Sequence, residues 1–281
     1  MWQSLESLYE GVTSARNRLG LALRDFLSGN GPVYREIAEP KPTFADNPEA
    51  WNRLRHLNQH YHLESLTQRA SVTRYLETLT YLDWLDYFRE REPEAFQQAF
   101  SGDGERVWLD VGSKNWSYVE ALMAFAPEAF RIEGIEIDPN RRYVDLRTRR
   151  QYAEAYLQAL PESVRKRVRY RAGNVLNYRQ SAKVISHFLP FVFKEPHLAW
   201  GLPLGLFRPE AILGHVLDLL EPHGLLLIVN QGEAEASRQE ELLKEAGKTR
   251  PITVKSLGQL PVRFIEYQYL RYGWLCIKRG N

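Results

Sequence analysis

The sequence predicts an α/β domain over residues 101–281, a mostly parallel sheet with helices on both faces, preceded by a helical region over residues 1–100. Two observations carry this. Up to residue 100, apolar residues recur at steps of three and four, the period of a helix with one buried face. After the turn cluster Ser101-Gly102-Asp103-Gly104, short apolar runs alternate with helix-like segments, the pattern of a parallel sheet. The 281 residues are 44% hydrophobic, enough to bury a full core.

In the first region, Trp2, Leu5, Leu8, Val12, Ala15 and Leu19 define one helix face. Residues 31–48, with Gly31, Pro32, Pro40, Pro42 and Pro48, read as a connector. Two helices follow, over 49–67 and 70–90. The second carries Val72, Leu76, Leu79, Leu82 and Leu85 at helical spacing. These stripes are expected to lie against the α/β domain. In the second region, strands are expected over 107–111, 132–137, 168–172, 182–186, 225–229, 252–256 and 272–278. Helices are expected over 116–126, 140–160, 209–221 and 234–246.

Three strand ends carry the chemistry. The first reads Leu109-Asp110-Val111-Gly112-Ser113-Lys114-Asn115-Trp116. Such a turn exposes backbone N–H groups at a helix start, and Gly112 lets a ligand approach the backbone. Asp110 is placed to accept from a cationic amine. An ordinary strand-to-helix turn has the same look. The second reads Glu133-Gly134-Ile135-Glu136-Ile137-Asp138-Pro139. A carboxylate at this tip can accept both hydroxyls of a ribose. Asp138 can also take that role, but Glu136 is preferred for it, with Asp138 capping the next helix ahead of Pro139. The third reads Ala172-Gly173-Asn174-Val175-Leu176. The Asn174 amide can meet an adenine edge, and Val175 can cover its face.

In their order and spacing these segments resemble the class I S-adenosylmethionine-dependent methyltransferases, over about residues 105–281. Leu220-Glu221-Pro222-His223-Gly224, ahead of a strand, adds to the likeness. The resemblance implies a three-layer Rossmann-like sheet whose last two strands, from Ile252 onward, form an antiparallel hairpin. It implies S-adenosylmethionine as cofactor, with Asp110, Gly112 and Ser113 at the methionine part, Glu136 at the ribose, and Asn174 and Val175 at the adenine. The sequence departs from the family pattern at two places. Ser113 to Trp116 stand where repeated glycines are usual, and Asn174 stands where Asp is common.

The fourth strand, Val184-Ile185-Ser186-His187-Phe188-Leu189-Pro190-Phe191, lacks the Asn/Asp-Pro-Pro-Tyr/Phe tetrapeptide of many amino-group methylases. His187 is the candidate general base, its ordinary pKa lying near neutrality. A silent, hydrogen-bonded strand-end histidine is the plainer alternative. Phe188, Phe191, Phe193, Pro196, Trp200, Pro203, Phe207 and Pro209 follow, and can wall a substrate pocket or sit beneath the N-terminal helices.

Other features limit the partners. Cys276 is the only cysteine, so neither an intrachain disulfide nor a cysteine-based metal site can form, and no metal is expected. The apolar run over 184–193 is too short to span a bilayer. No basic start leads into an apolar block, so a cytoplasmic location is expected. The net charge is only +2, but residues 141–171 hold ten Arg or Lys against three Asp or Glu. That stretch falls mostly mid-helix or before the third strand, away from where ligands bind in such sheets. A small organic acceptor is therefore expected. The alternatives are a catalytically silent adenosine-cofactor-binding module and an RNA methyltransferase using the 141–171 face. A nicotinamide-dependent oxidoreductase would need Gly-x-Gly-x-x-Gly, and residues 110–117 hold only Gly112.

Overall fold

The computed structural model describes residues 2–27 and 47–280. The helices before the sheet are α1 (Trp2–Phe26), α2 (Pro48–Tyr61), α3 (Glu64–Arg69), α4 (Val72–Arg91) and α5 (Pro93–Phe100). Then come β1 (Arg106–Val111), α6 (Val119–Phe125), β2 (Phe130–Glu136), α7 (Arg149–Gln158), α8 (Glu162–Arg165), β3 (Val168–Ala172) and β4 (Ala182–Phe188). The chain ends with α9 (Lys194–Ala199), α10 (Pro209–Leu219), β5 (Leu220–Gln231), α11 (Gly232–Thr249), β6 (Ile252–Gln259) and β7 (Arg271–Lys278). Up to residue 46, the connector read over 31–48 lies outside the described residues.

The seven strands run in the order β3-β2-β1-β4-β5-β7-β6. β1 to β5 pair in parallel, and β7 runs antiparallel to both β5 and β6. This is the expected sheet, hairpin included. Each central strand is apolar on both faces, as a sheet covered twice requires. On one face Trp108, Phe130, Val184, Leu225 and Leu227 share a core with Leu79, Leu85, Phe88, Phe96 and Phe125. On the other, Leu109, Ile185, Leu226 and Ile228 meet Leu213, Val216, Leu217 and Leu243 of α10 and α11. So α4, α5 and α6 form one outer layer, and α10 and α11 the other. A buried Arg74–Glu120 ion pair also ties α4 to α6.

Three expectations need correction. Residues 140–148 are not helical. An isolated bridge pairs Arg142 with Thr148, and the helix starts only where Thr148 and Gln151 form a capping box. Asp138 is therefore no helix cap. The helix expected over 49–67 is two, because His62 takes the left-handed conformation (φ +53°) and closes α2 before α3 begins.

The third correction concerns α1. Leu8, Val12 and Leu19 of its apolar stripe are more than 60% exposed, while Thr13, Ser14, Asn17 and Arg24 are buried. The buried face is polar because it meets backbone. Asn17 Nδ2 donates to the carbonyls of Leu198 (2.9 Å) and Leu202 (3.1 Å), and Ser14 Oγ accepts from the Leu204 N–H. A buried carbonyl without a donor is costly, so these bonds fix which way α1 faces. Among the described residues, no helix is long and apolar enough to cross a membrane.

Candidate functional site

Strand order reverses between β1 and β4, and a cavity of about 360 Å³ opens beyond the carboxyl ends of the parallel strands. Gly112, Glu136, Asn174 and Val175 all line it, although they come from three separate turns. His187, Trp200 and Phe207 line it too.

The first turn is shaped by packing against β2. Gly112 has φ +76°, and a Cβ there would meet nothing within 4 Å, so its place on the cavity wall is open. Lys114 and Trp116 both hold φ +54°, unusual for side chains of their size. The Trp116 ring is fully buried over Gly134, where a Cβ would lie 2.7 Å from it. Gly134 is thus what lets a tryptophan fill space that repeated glycines would leave empty.

Asp110 and Ser113 do not reach the cavity wall. Ser113 is fully buried and its Oγ sits beside Gly134. Asp110 is fully buried beneath the turn, where Oδ1 accepts from Ser186 Oγ (2.6 Å) and Oδ2 from Tyr118 OH (2.8 Å). Burial outweighs those two donors and pushes the carboxyl up to about 7. A positioning role under the turn fits this geometry better than direct contact with an amine.

Glu136 does line the cavity, and it is also heavily engaged. Oε2 accepts from the Lys114 N–H (2.9 Å); Oε1 accepts from the Asp138 N–H (2.9 Å) and from Arg149 (2.8 Å). A carboxylate offers about four acceptor sites. One remains for a ligand hydroxyl unless Arg149 moves. The Arg149 guanidinium in turn lies 4.8 Å from the Trp200 ring centroid. Beside it, Asp138 is fully buried in a two-bond pair with Arg24 of α1 (3.0 and 2.7 Å). In the third turn, Asn174 Oδ1 accepts from the Leu176 N–H and caps a short 3₁₀ turn, Val175–Asn177. Its amide N–H groups remain for an acceptor atom on a ligand.

The His187 ring has no hydrogen-bond partner among the described residues. Burial alone lowers its pKa from 6.5 to about 4, so at neutral pH it is an uncharged, weak base. A depressed histidine stabilises the fold above 6.5 and loses that contribution as pH falls towards 4. Between pH 7 and 5 the loss is about 2 kcal/mol by linkage. His187→Gln is therefore expected to flatten the acid side of the stability curve, measured by urea unfolding at both pH values. An unchanged pH dependence would contradict the neutral, half-buried imidazole.

Sequence reasoning missed several residues here. Arg24, Arg149, Glu77, Tyr81 and Glu235 are brought in by folding. The basic stretch is largely consumed within the molecule. Arg149 pairs with Glu136, Arg171 with Glu133, Arg150 with Glu154 and Lys166 with Glu162. Arg167 donates to the carbonyls of Pro127, Phe130 and Met123. Reversing its charge would remove these supports, so Arg167 is not a neutral surface position.

No protein-family model and no curated protein matches the chain. Solved structures similar to it include a precorrin-6y C5,15-methyltransferase from Geobacter metallireducens GS-15, with 14% identity and TM-score 0.45, covering 67% of this chain and 88% of that one. Another is a SAM-dependent methyltransferase from Aquifex aeolicus, with 16% identity and TM-score 0.43, covering 66% and 89%. A third is an S-adenosylmethionine-dependent methyltransferase from Clostridium acetobutylicum ATCC 824, with 11% identity and TM-score 0.44, covering 82% and 99%. At such identities and TM-scores they assign neither family nor activity to this chain.

Proposed function

We propose that this chain binds S-adenosylmethionine across the carboxyl ends of β1, β2 and β3 and catalyses methyl transfer to a small acceptor bound beyond β4 and β5. The observation that carries the reading is the convergence of Gly112, Glu136 and Asn174-Val175 on one cavity wall. Those three turns were read from the sequence for the methionine, ribose and adenine parts of one ligand. The residues fit it. Gly112 leaves room against the backbone, Glu136 keeps one acceptor site for a ribose hydroxyl, and Val175 gives an apolar face. The cavity volume falls in the range of small-molecule sites.

When bound, the cofactor supplies a sulfonium methyl group as electrophile. The residues of the chain do the rest. Glu136 and Asn174 orient the ligand, Asp110 holds the first turn through Tyr118 and Ser186, and the Phe188–Phe207 segment keeps water from the reacting atoms. Positioning of this kind accounts for much of the rate gain in a bimolecular transfer. The ring-rich segment divides its work. Trp200 stacks on Arg149 and so belongs to the cofactor end, contrary to a role in acceptor choice. Trp200→Ala should weaken cofactor binding more than it alters acceptor preference.

A second reading, a silent adenosine-cofactor-binding module, is favoured by one observation: the weak basicity of His187. Formation of S-adenosylhomocysteine over a panel of metabolites, peptides and RNA separates the two. The enzyme reading expects turnover with a small molecule. Cofactor binding with no turnover on any class supports the silent module, and turnover on RNA alone makes RNA the acceptor.

A further inference from the structure

The far end of the cavity has a charge pattern of its own. Glu77 and Tyr81 stand one turn apart on α4, and Glu235 and Gln239 one turn apart on α11. All four line the cavity with Tyr118, Phe188 and Tyr267. The Glu77 carboxylate has no ion pair or hydrogen bond among the described residues. Gln239 is only 3% exposed, yet its amide has no hydrogen-bond partner among them either. Glu235 is 8% exposed and accepts only from neutral donors, the Gln231 N–H (3.1 Å) and side-chain amide (3.3 Å).

Arg208 also lines the cavity but is exposed to solvent; the buried cation nearby is Arg271. It is buried behind the wall, donates to the carbonyls of Tyr269 and Leu270, and lies 4.1 Å from the Tyr267 ring centroid. Neither carboxylate forms an ion pair among the described residues, so Glu235, largely buried, has no bonded cation for its negative charge. Such a charge is costly until a cation joins it. The rings suit the same guest. Tyr81 and Tyr118 stack at 3.8 Å with Phe188 set edge-on to Tyr81 at 5.2 Å, offering π-rich walls to a positive group.

Resting on the function proposed above, we propose that the methyl acceptor is an amine nitrogen of a small molecule, held at this end of the cavity by Glu77 and Glu235. An anionic acceptor would meet two carboxylates. A hydroxyl acceptor would need a base. His187, near 4, lies far below a phenol at about 10 and is mismatched for removing its proton. The ammonium that the carboxylates attract must first give its proton to solvent, and the neutral amine then carries a lone pair. That pair forms the new N–C bond to the methyl carbon while the C–S bond breaks, its electrons staying on sulfur to give a neutral thioether. The nitrogen becomes a methylated ammonium, held by the same carboxylates.

The test titrates matched probes into protein saturated with S-adenosylhomocysteine: 2-phenylethylamine, phenylacetate and 2-phenylethanol, and the corresponding butyl series. Transfer from S-adenosylmethionine is followed in parallel by mass of the product. In each series the amine is expected to bind about tenfold tighter than its partners, a difference of one charge-assisted contact, and to gain a methyl on nitrogen. Glu77→Gln and Glu235→Gln should each lower amine affinity about tenfold while S-adenosylhomocysteine affinity stays within about twofold. If a variant fails to fold, the probe ranking in the natural protein decides alone. Equal or tighter binding of the acid or alcohol, or no probe binding at all, overturns the amine assignment. So does loss of S-adenosylhomocysteine affinity in folded variants, which would give the carboxylates to the cofactor. Failure of S-adenosylhomocysteine itself to bind is a separate result, and removes the proposed function beneath the inference.

Discussion

Deleting residues 1–100, so that the chain begins at Ser101, is expected to give an aggregating protein without native tertiary structure. Leu79, Leu82, Leu85, Phe88 and Phe96 are essentially unexposed and share one core with Trp108, Phe125 and Phe130 of the sheet domain. At about 1.5–3 kcal/mol for each buried side chain, these five contribute roughly 8–15 kcal/mol. That is the size of a whole domain's stability, roughly 5–15 kcal/mol. The deletion also leaves Glu120 without Arg74 and Asp138 without Arg24, two buried carboxylates deprived of their nearest cations. Near-UV circular dichroism and sedimentation check the outcome. A soluble monomer with native-like aromatic signals would mean that the helices and the sheet are independent units.

Glu136→Gln is expected to weaken S-adenosylmethionine binding by about 1.5–3 kcal/mol, the scale of hydrogen bonds to a charged group. The amide is the informative change. Glu136→Ala would also strand Arg149 in a buried site, and losing one partner of such a pair costs about 3–5 kcal/mol of stability. A lowered affinity in the alanine variant could then reflect a damaged fold. Calorimetric titration of the glutamine variant, with unfolding measured alongside, separates the two effects. Unchanged affinity in a folded Glu136→Gln protein would remove Glu136 from the ribose site.

Much of the sheet was legible because its strands are short apolar runs bounded by turn residues. β3 begins and ends at the expected residues, and β1, β4, β6 and β7 contain the expected runs. Glu136, Asn174 and Val175 were legible as cavity residues because strand-end position alone places them. Asp110 and Ser113 misled because sequence gives position along a turn, not the direction of a side chain. Trp116 forces that turn inward against Gly134. The partners of buried charges were not legible at all. Arg24 and Asp138 are 114 residues apart, and no local spacing links them. The same limit misplaced α1. Its three- and four-residue periodicity gave a helix, but the apolar stripe faces solvent. Asn17 and Ser14 are the side chains that satisfy the backbone around Leu198 to Leu204. Glu77 and Glu235 carried no signal, since an exposed helical glutamate and one lining a cavity look alike in sequence.

The central claim is that the cavity at the strand ends holds S-adenosylmethionine, and direct calorimetric titration of the intact chain tests it. The expected result is saturable one-to-one binding of S-adenosylmethionine and of S-adenosylhomocysteine, with no heat from NAD at the same concentrations. A folded protein that binds neither sulfur compound, or that binds NAD instead, would contradict it.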